Sequence, residues 1–164
     1  MLIEMKTPGL WRRMACWLYE GMLLFGVVFL SAWLFSTLAQ LRNAMQNPHG
    51  LFAFVTTIVG IYFVWFWAKG QTLAMKTWNI RIVSVQGQPI TQTRALLRYC
   101  LGMLWFLPSL LTYYYFHISV VEFLVFFFAW IIVWALLSRF HPQGQFWHDA
   151  WSGTRLISSQ PLSR

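Results

Sequence analysis

Four stretches of this chain, residues 14–39, 51–68, 99–115 and 118–138, are built almost entirely from apolar side chains. A helix rising 1.5 Å per residue needs about 20 apolar residues to cross a hydrocarbon core about 30 Å thick. All four runs reach or approach that length. With 59% hydrophobic and only 10% charged residues, the 164-residue chain lacks the polar surface of a soluble domain of its size. The expected fold is an all-α membrane protein, a single domain over residues 1–164 with four transmembrane helices. The third run is the shortest and contains Pro108, which removes a backbone hydrogen bond and should kink it. A re-entrant third run is the alternative to a span.

The placement of charge tests that choice. Lys6, Arg12 and Arg13 precede the first run. Lys69, Lys76, Arg81, Arg94 and Arg98 lie between the second and third, and Arg139, Arg155 and Arg164 follow the fourth. Only Arg42 falls in a remaining loop. Short cytoplasmic loops collect Lys and Arg, so four spans with both termini in the cytoplasm fit the pattern, whereas a re-entrant third run would leave the basic tail outside. The net charge of +8 therefore reads as topology signals and contacts to anionic lipid head groups rather than as a nucleic-acid surface. The first run is longer than the apolar core of a signal peptide and an acid interrupts it, so it is expected to remain as an uncleaved helix.

Two cytoplasmic segments are long enough for structure of their own. In the loop 69–98, Asn79-Ile-Arg-Ile-Val-Ser-Val85 is rich in β-branched residues and precedes Gln86-Gly-Gln-Pro89, which predicts a short β-like segment entering a turn. The segment 139–164 carries Phe146, Trp147 and Trp151 among polar residues, the composition of a stretch lying at the head-group level. Tyr113, Tyr114 and Tyr115 suit an interfacial belt on the opposite side. Cys16 and Cys100 are far apart and each begins an apolar run, so they read as free thiols. His49, His117, His141 and His148 have no ligand spacing, and Gly70-Gln-Thr-Leu-Ala-Met-Lys-Thr77 imitates a phosphate loop with Met75 in place of its second glycine. No cofactor or metal is expected.

Glu20 is the residue that calls for chemistry. It lies about six residues inside the first run, roughly 9 Å deep at 1.5 Å per residue. Insertion scales set a carboxylate near a helix centre at roughly 2.5–3.5 kcal/mol. Either the group is neutral or something offsets its charge. Arg13 shares its helix face but leans away toward the helix N-terminus. Arg13 is therefore expected to meet an acid from elsewhere on the cytoplasmic side, and Asp149 is the one such acid outside the N-terminal tail. Counting residues from the cytoplasmic ends puts Tyr62 at nearly the depth of Glu20, so its hydroxyl is the candidate partner of that carboxyl. Glu122, near the other end of the fourth run, reads as a carboxylate reaching the outer head groups.

Arg13-Met-Ala-Cys-Trp-Leu-Tyr-Glu20, Gly70-Gln-Thr-Leu73, Asn79 to Gly87, Arg94 with Arg98, and His148-Asp149 with Gly153-Thr154 occur in an order that resembles the bacterial RDD family, named for one arginine and two aspartates. Arg13 matches the arginine, Asp149 the second aspartate, and Glu20 stands in place of the first. His148 and Thr154 enter as supporting residues of that motif. A further departure is Ala74, where the family pattern often has glycine. The resemblance implies a multi-pass protein of the bacterial inner membrane, with ligand transport suggested. The leading function is transport or ion and proton exchange through the embedded carboxylate, with a small ion or another ligand as partner and a homo-oligomer supplying the pathway. The rival is a non-transporting adaptor or assembly protein whose charges only fix helix packing. An enzyme is not expected, because no nucleophile with a nearby base is visible.

The topology is open to a direct test. A reporter fused after Arg164 should be cytoplasmic and one inserted near Asn47 external. An external C-terminus would remove one span from the count.

Overall fold

The computed structural model describes residues 7–41, 46–116, 118–142 and 144–159. Lys6, Arg42, His117, Arg164 and the Tyr114 side chain lie outside the described residues. The first helix, α1 (Leu10–Leu38), is continuous, because nothing between those residues breaks a helix except the isolated Gly21 and Gly26. Its buried residues are Arg13, Cys16, Glu20 and Ser31, while Phe25 is 74% exposed and Phe29 and Trp33 are also outside. The steps from 13 to 20 and from 20 to 31 are close to whole numbers of turns, so the polar groups form one inward stripe. This distribution is the reverse of that in a soluble protein.

Helix α2 (Pro48–Ala68) opens with Pro at its first position, and the Asn47 side chain accepts from the Gly50 amide at 2.9 Å. Beyond it the chain reverses at Gly70, whose φ of 91° suits glycine and whose missing Cβ would stand 3.1 Å from Arg81 Nε. That turn leads into the short helix α3 (Leu73–Thr77) and strand β1 (Ile80–Ser84). The β-like segment foreseen around Asn79–Val85 is thus a strand, followed by a turn in which Ser84 N donates to Gln88 O at 2.8 Å.

Its partner is β2 (Thr154–Ser158), antiparallel, with Ile80 opposite Ser158 and Ser84 opposite Thr154. The fold is mostly helical with a small two-stranded sheet, and the segment 139–164, read from the sequence as interfacial, contributes the second strand. Phe146 is buried in the core while Trp151 remains exposed. Gln145 grips the middle of β2, donating to Leu156 O at 3.0 Å and accepting from Leu156 N at 3.0 Å. Arg12 fastens the start of α1 to the sheet through Trp78 O (2.8 and 2.6 Å), Asn79 O (2.8 Å) and Ser158 Oγ (3.3 Å).

Helix α4 (Gln92–Gly102) begins well before residue 99, inside the segment read as loop, and buries Ala95, Arg98 and Tyr99 on one face. Gly60 of α2 makes this approach possible. A Cβ there would meet the Tyr99 ring at 2.9 Å, and the Tyr99 hydroxyl donates to Thr56 O at 2.7 Å. After a 3-10 turn (Met103–Trp105), helix α5 (Leu107–Phe116) continues at a bend of 41°. The break falls just before Pro108, whose ring and missing N–H prevent a straight continuation. Helix α6 (Val120–Leu137) starts with a capping box in which Ser119 and Glu122 satisfy each other's backbone amides. Glu122 thus has a local task at the helix start. The helix α7 (Trp147–Trp151) follows a 3-10 turn (Ser138–Phe140).

Among the described residues, three helices are long and apolar enough to cross a membrane, namely α1, α2 and α6 with its 3-10 extension; the count rises to four if the bent α4–α5 pair is one span. The buried apolar core lies where the sheet, α3 and α7 meet the ends of these helices, and it contains Met75, Ile80, Ile82, Ala95, Trp105, Phe146 and Leu156.

Candidate functional site

Glu20 is only 6% exposed, and both carboxylate oxygens are taken by hydroxyls. Tyr62 donates to Oε1 at 2.6 Å, the bond expected from matching depths along two helices. Thr72 donates to Oε2. Thr72 also caps α3, its hydroxyl oxygen accepting from the Met75 amide at 3.2 Å. One small side chain therefore starts a helix and binds the buried acid. Sequence reasoning missed it because Thr72 is ten residues beyond Tyr62 in the chain and reaches Glu20 only after the reversal at Gly70. The signal available was a Thr directly before a short helical stretch, a capping position with a hydroxyl proton to spare.

The second constellation centres on Asp149, which is fully buried. The expected pair with Arg13 is not formed. Asp149 Oδ1 instead takes Arg98 Nε at 2.8 Å and Arg98 Nη2 at 2.7 Å, and His148 Nε2 lies 3.0 Å away. The reason is reach: α4 and α7 pack directly on each other, which brings Arg98 to the acid. The Arg98 guanidinium also lies 4.0 Å over the Trp67 ring. Trp105 Nε1 donates to His148 Nδ1 at 2.8 Å. Since indole is only a donor, this bond fixes the neutral imidazole tautomer whose Nε2–H points to Asp149. Burial alone would raise the Asp149 carboxyl, but the Arg98 charge, with the His148 contact, holds it well below the usual carboxylate range. Thr154 and Ser152 donate to the backbone carbonyl of Asp149 at 3.2 and 2.9 Å, so Thr154 positions the acid without touching its carboxylate.

Arg13 has a third kind of surrounding. It is 6% exposed, its guanidinium lies 4.4 Å over the Phe146 ring, and Nε and Nη1 are buried without a hydrogen-bond partner. Arg13, Glu20, Arg98 and His148 all border one cavity of about 370 Å³, whose remaining wall is apolar and aromatic, including Phe63, Trp67 and Phe106. The structure thus brings Arg13, Glu20 and His148 to a common space, ties Tyr62 to Glu20, and leaves Asp149 behind Arg98 and His148. Cys16, on the same wall, and Cys100 are free thiols.

Residues 7–153 match the family model described as RDD family. No curated protein and no solved structure matches the chain significantly.

Removing one partner of a buried pair leaves the other charge uncompensated. Arg98→Met should therefore cost about 3–5 kcal/mol, and the double variant Arg98→Met/Asp149→Leu should cost less than the sum of the two single changes, as read from thermal unfolding in detergent. Acid provides an independent check. With its folded-state value depressed, Asp149 contributes stability that is fully present above the unfolded value of about 3.9 and is lost as pH falls toward the folded value. The protein should lose stability below about pH 4, and Asp149→Asn should flatten that part of the profile.

Proposed function

Since the chain belongs to the RDD family, with helices apolar enough to cross a membrane, we propose that it is a multi-pass protein of the bacterial inner membrane that exchanges protons for a small ion, with Glu20 as the coupling acid. The termini and the sheet face the cytoplasm in this reading, and α4–α5 forms the fourth span. The observation that carries it is the state of Glu20: a carboxylate buried in α1, bound by two hydroxyls, in no ion pair among the described residues, and bordering a cavity. Its chemistry is reversible. Ionised, the carboxylate accepts from Tyr62 and Thr72. Protonated, its O–H donates to one of those hydroxyl oxygens, which turns its own proton away from the carboxyl. The same three groups present hard oxygen ligands to a small cation once a proton leaves. Few helices surround this point, so a homo-oligomer completes the pathway.

A specific observation also favours a second reading. The bonds from Tyr62 and Thr72 tie α1 to α2 and to the start of α3, as a purely architectural acid would. In that case the protein is a membrane adaptor and moves nothing.

Flux separates the two. Purified protein in liposomes with an entrapped pH dye should move protons when a gradient of sodium or potassium is imposed. Glu20→Gln, which mimics the protonated acid, should fold and abolish that movement. Absence of cation-dependent proton flux in the unaltered protein, across both ions and a range of pH, would establish the adaptor reading instead.

A further inference from the structure

Arg12, Arg13 and Arg98 lie near the sheet end of the molecule, and two of these three have their guanidinium groups bound by acceptors. Arg12 donates to backbone carbonyls and to Ser158, and Arg98 is bound to Asp149. Arg13 is not. A guanidinium with buried N–H groups and no acceptor is costly, and the face of Phe146 offsets only part of that cost. Arg13 also borders the cavity, and its position there is at one extreme. Along α1 the wall runs from Arg13 to Leu24, about 16 Å at 1.5 Å per residue. The α1 side of the space is thus a long, mostly apolar wall with a cation at its N-terminal end.

From this geometry we infer that the cavity binds an amphipathic oxyanion, its carboxylate or phosphate head on Arg13 and a single apolar chain along that wall toward Leu24. The other polar groups on the wall leave Arg13 as the anchor. Arg98 is committed to Asp149, His148 uses both ring nitrogens, and the Glu20 oxygens are covered by Tyr62 and Thr72. The head is charge-complementary to Arg13, and the chain meets the apolar wall formed by residues such as Trp17, Phe63 and Phe106. Gly21 and Gly102 widen the cavity: both border it, and a Cβ at either would meet nothing within 4 Å. The inference is independent of proton exchange, because binding is read without any flux.

The test uses the full chain in nanodiscs of phosphatidylcholine, with dodecanoate as the probe and dodecanol, which has the same chain and no charge, as the control. Dodecanoate should raise the thermal midpoint and quench tryptophan fluorescence saturably, whereas dodecanol should bind about tenfold or more weakly. Arg13→Gln should weaken dodecanoate binding by a similar factor, with the fold of the unliganded variant checked by its thermal midpoint. Gly21→Leu, which keeps Arg13 and fills part of the cavity, should abolish binding of the chain. Replacing phosphatidylcholine with phosphatidylglycerol distinguishes the sources: competition with dodecanoate identifies a bilayer lipid as the natural occupant, and its absence identifies a free amphiphile, either of which fits the site. Equal binding of dodecanol and dodecanoate, or unchanged affinity in Arg13→Gln, would overturn the inference.

Discussion

The buried carboxylate of Asp149 organises the sheet end of the molecule. Arg98 reaches it from α4 and His148 from the same short helix α7, and Trp105 fixes the imidazole. Because α7 is held there, the chain that follows enters β2 in register with β1. Strand β1 in turn sits against the reversal at Gly70, whose carbonyl accepts from Ile82 N at 2.9 Å. That reversal delivers Thr72 to Glu20. An ion pair near the C-terminal end of the chain is thus linked, through a strand pair and one glycine turn, to the acid inside α1. A buried pair of this kind adds little stability over an apolar substitute, so its value lies in specifying one arrangement of the pieces around it.

The apolar exterior imposes the complementary constraint. With large apolar side chains such as Phe25 and Phe29 turned outward, the inward stripe of α1 is left to Arg13, Cys16, Glu20 and Ser31. Each polar group there must find a partner inside the protein. Ser31 donates to the carbonyl one turn back, at 2.7 Å, and Glu20 collects hydroxyls from α2 and the head of α3. Arg13 has an aromatic face instead of an acceptor.

Neighbouring residues of one type meet very different conditions. Arg12 and Arg13 are adjacent, yet a rotation of about 100° per residue along the helix turns one to the carbonyls of Trp78 and Asn79 and the other into the cavity. Arg98, read as one basic residue of a loop, lies on the buried face of an amphipathic helix beside Ala95 and Tyr99. Charge counting along a loop contains no term for such a face.

Features governed by distance along one helix were legible in the sequence. The apolar runs, the bend at Pro108, the β-branched stretch at Ile80–Ser84 and the meeting of Tyr62 with Glu20 all follow from rise, periodicity or local sterics. The partners of Asp149 and the second hydroxyl on Glu20 did not follow, because each depends on elements that a turn folds back on one another. Scarcity of acids pointed to Arg13 for Asp149, but the packing of α4 on α7 put Arg98 first in reach. Strand β2 likewise has too short and mixed a pattern to announce itself until β1 lies beside it. By itself the sequence determined which segments are apolar, where they bend and how far along its own helix each polar group lies. Only the tertiary structure decided which charges are paired and which one faces the cavity, because pairing is set by distances across helices and the chain specifies directly only distances along them.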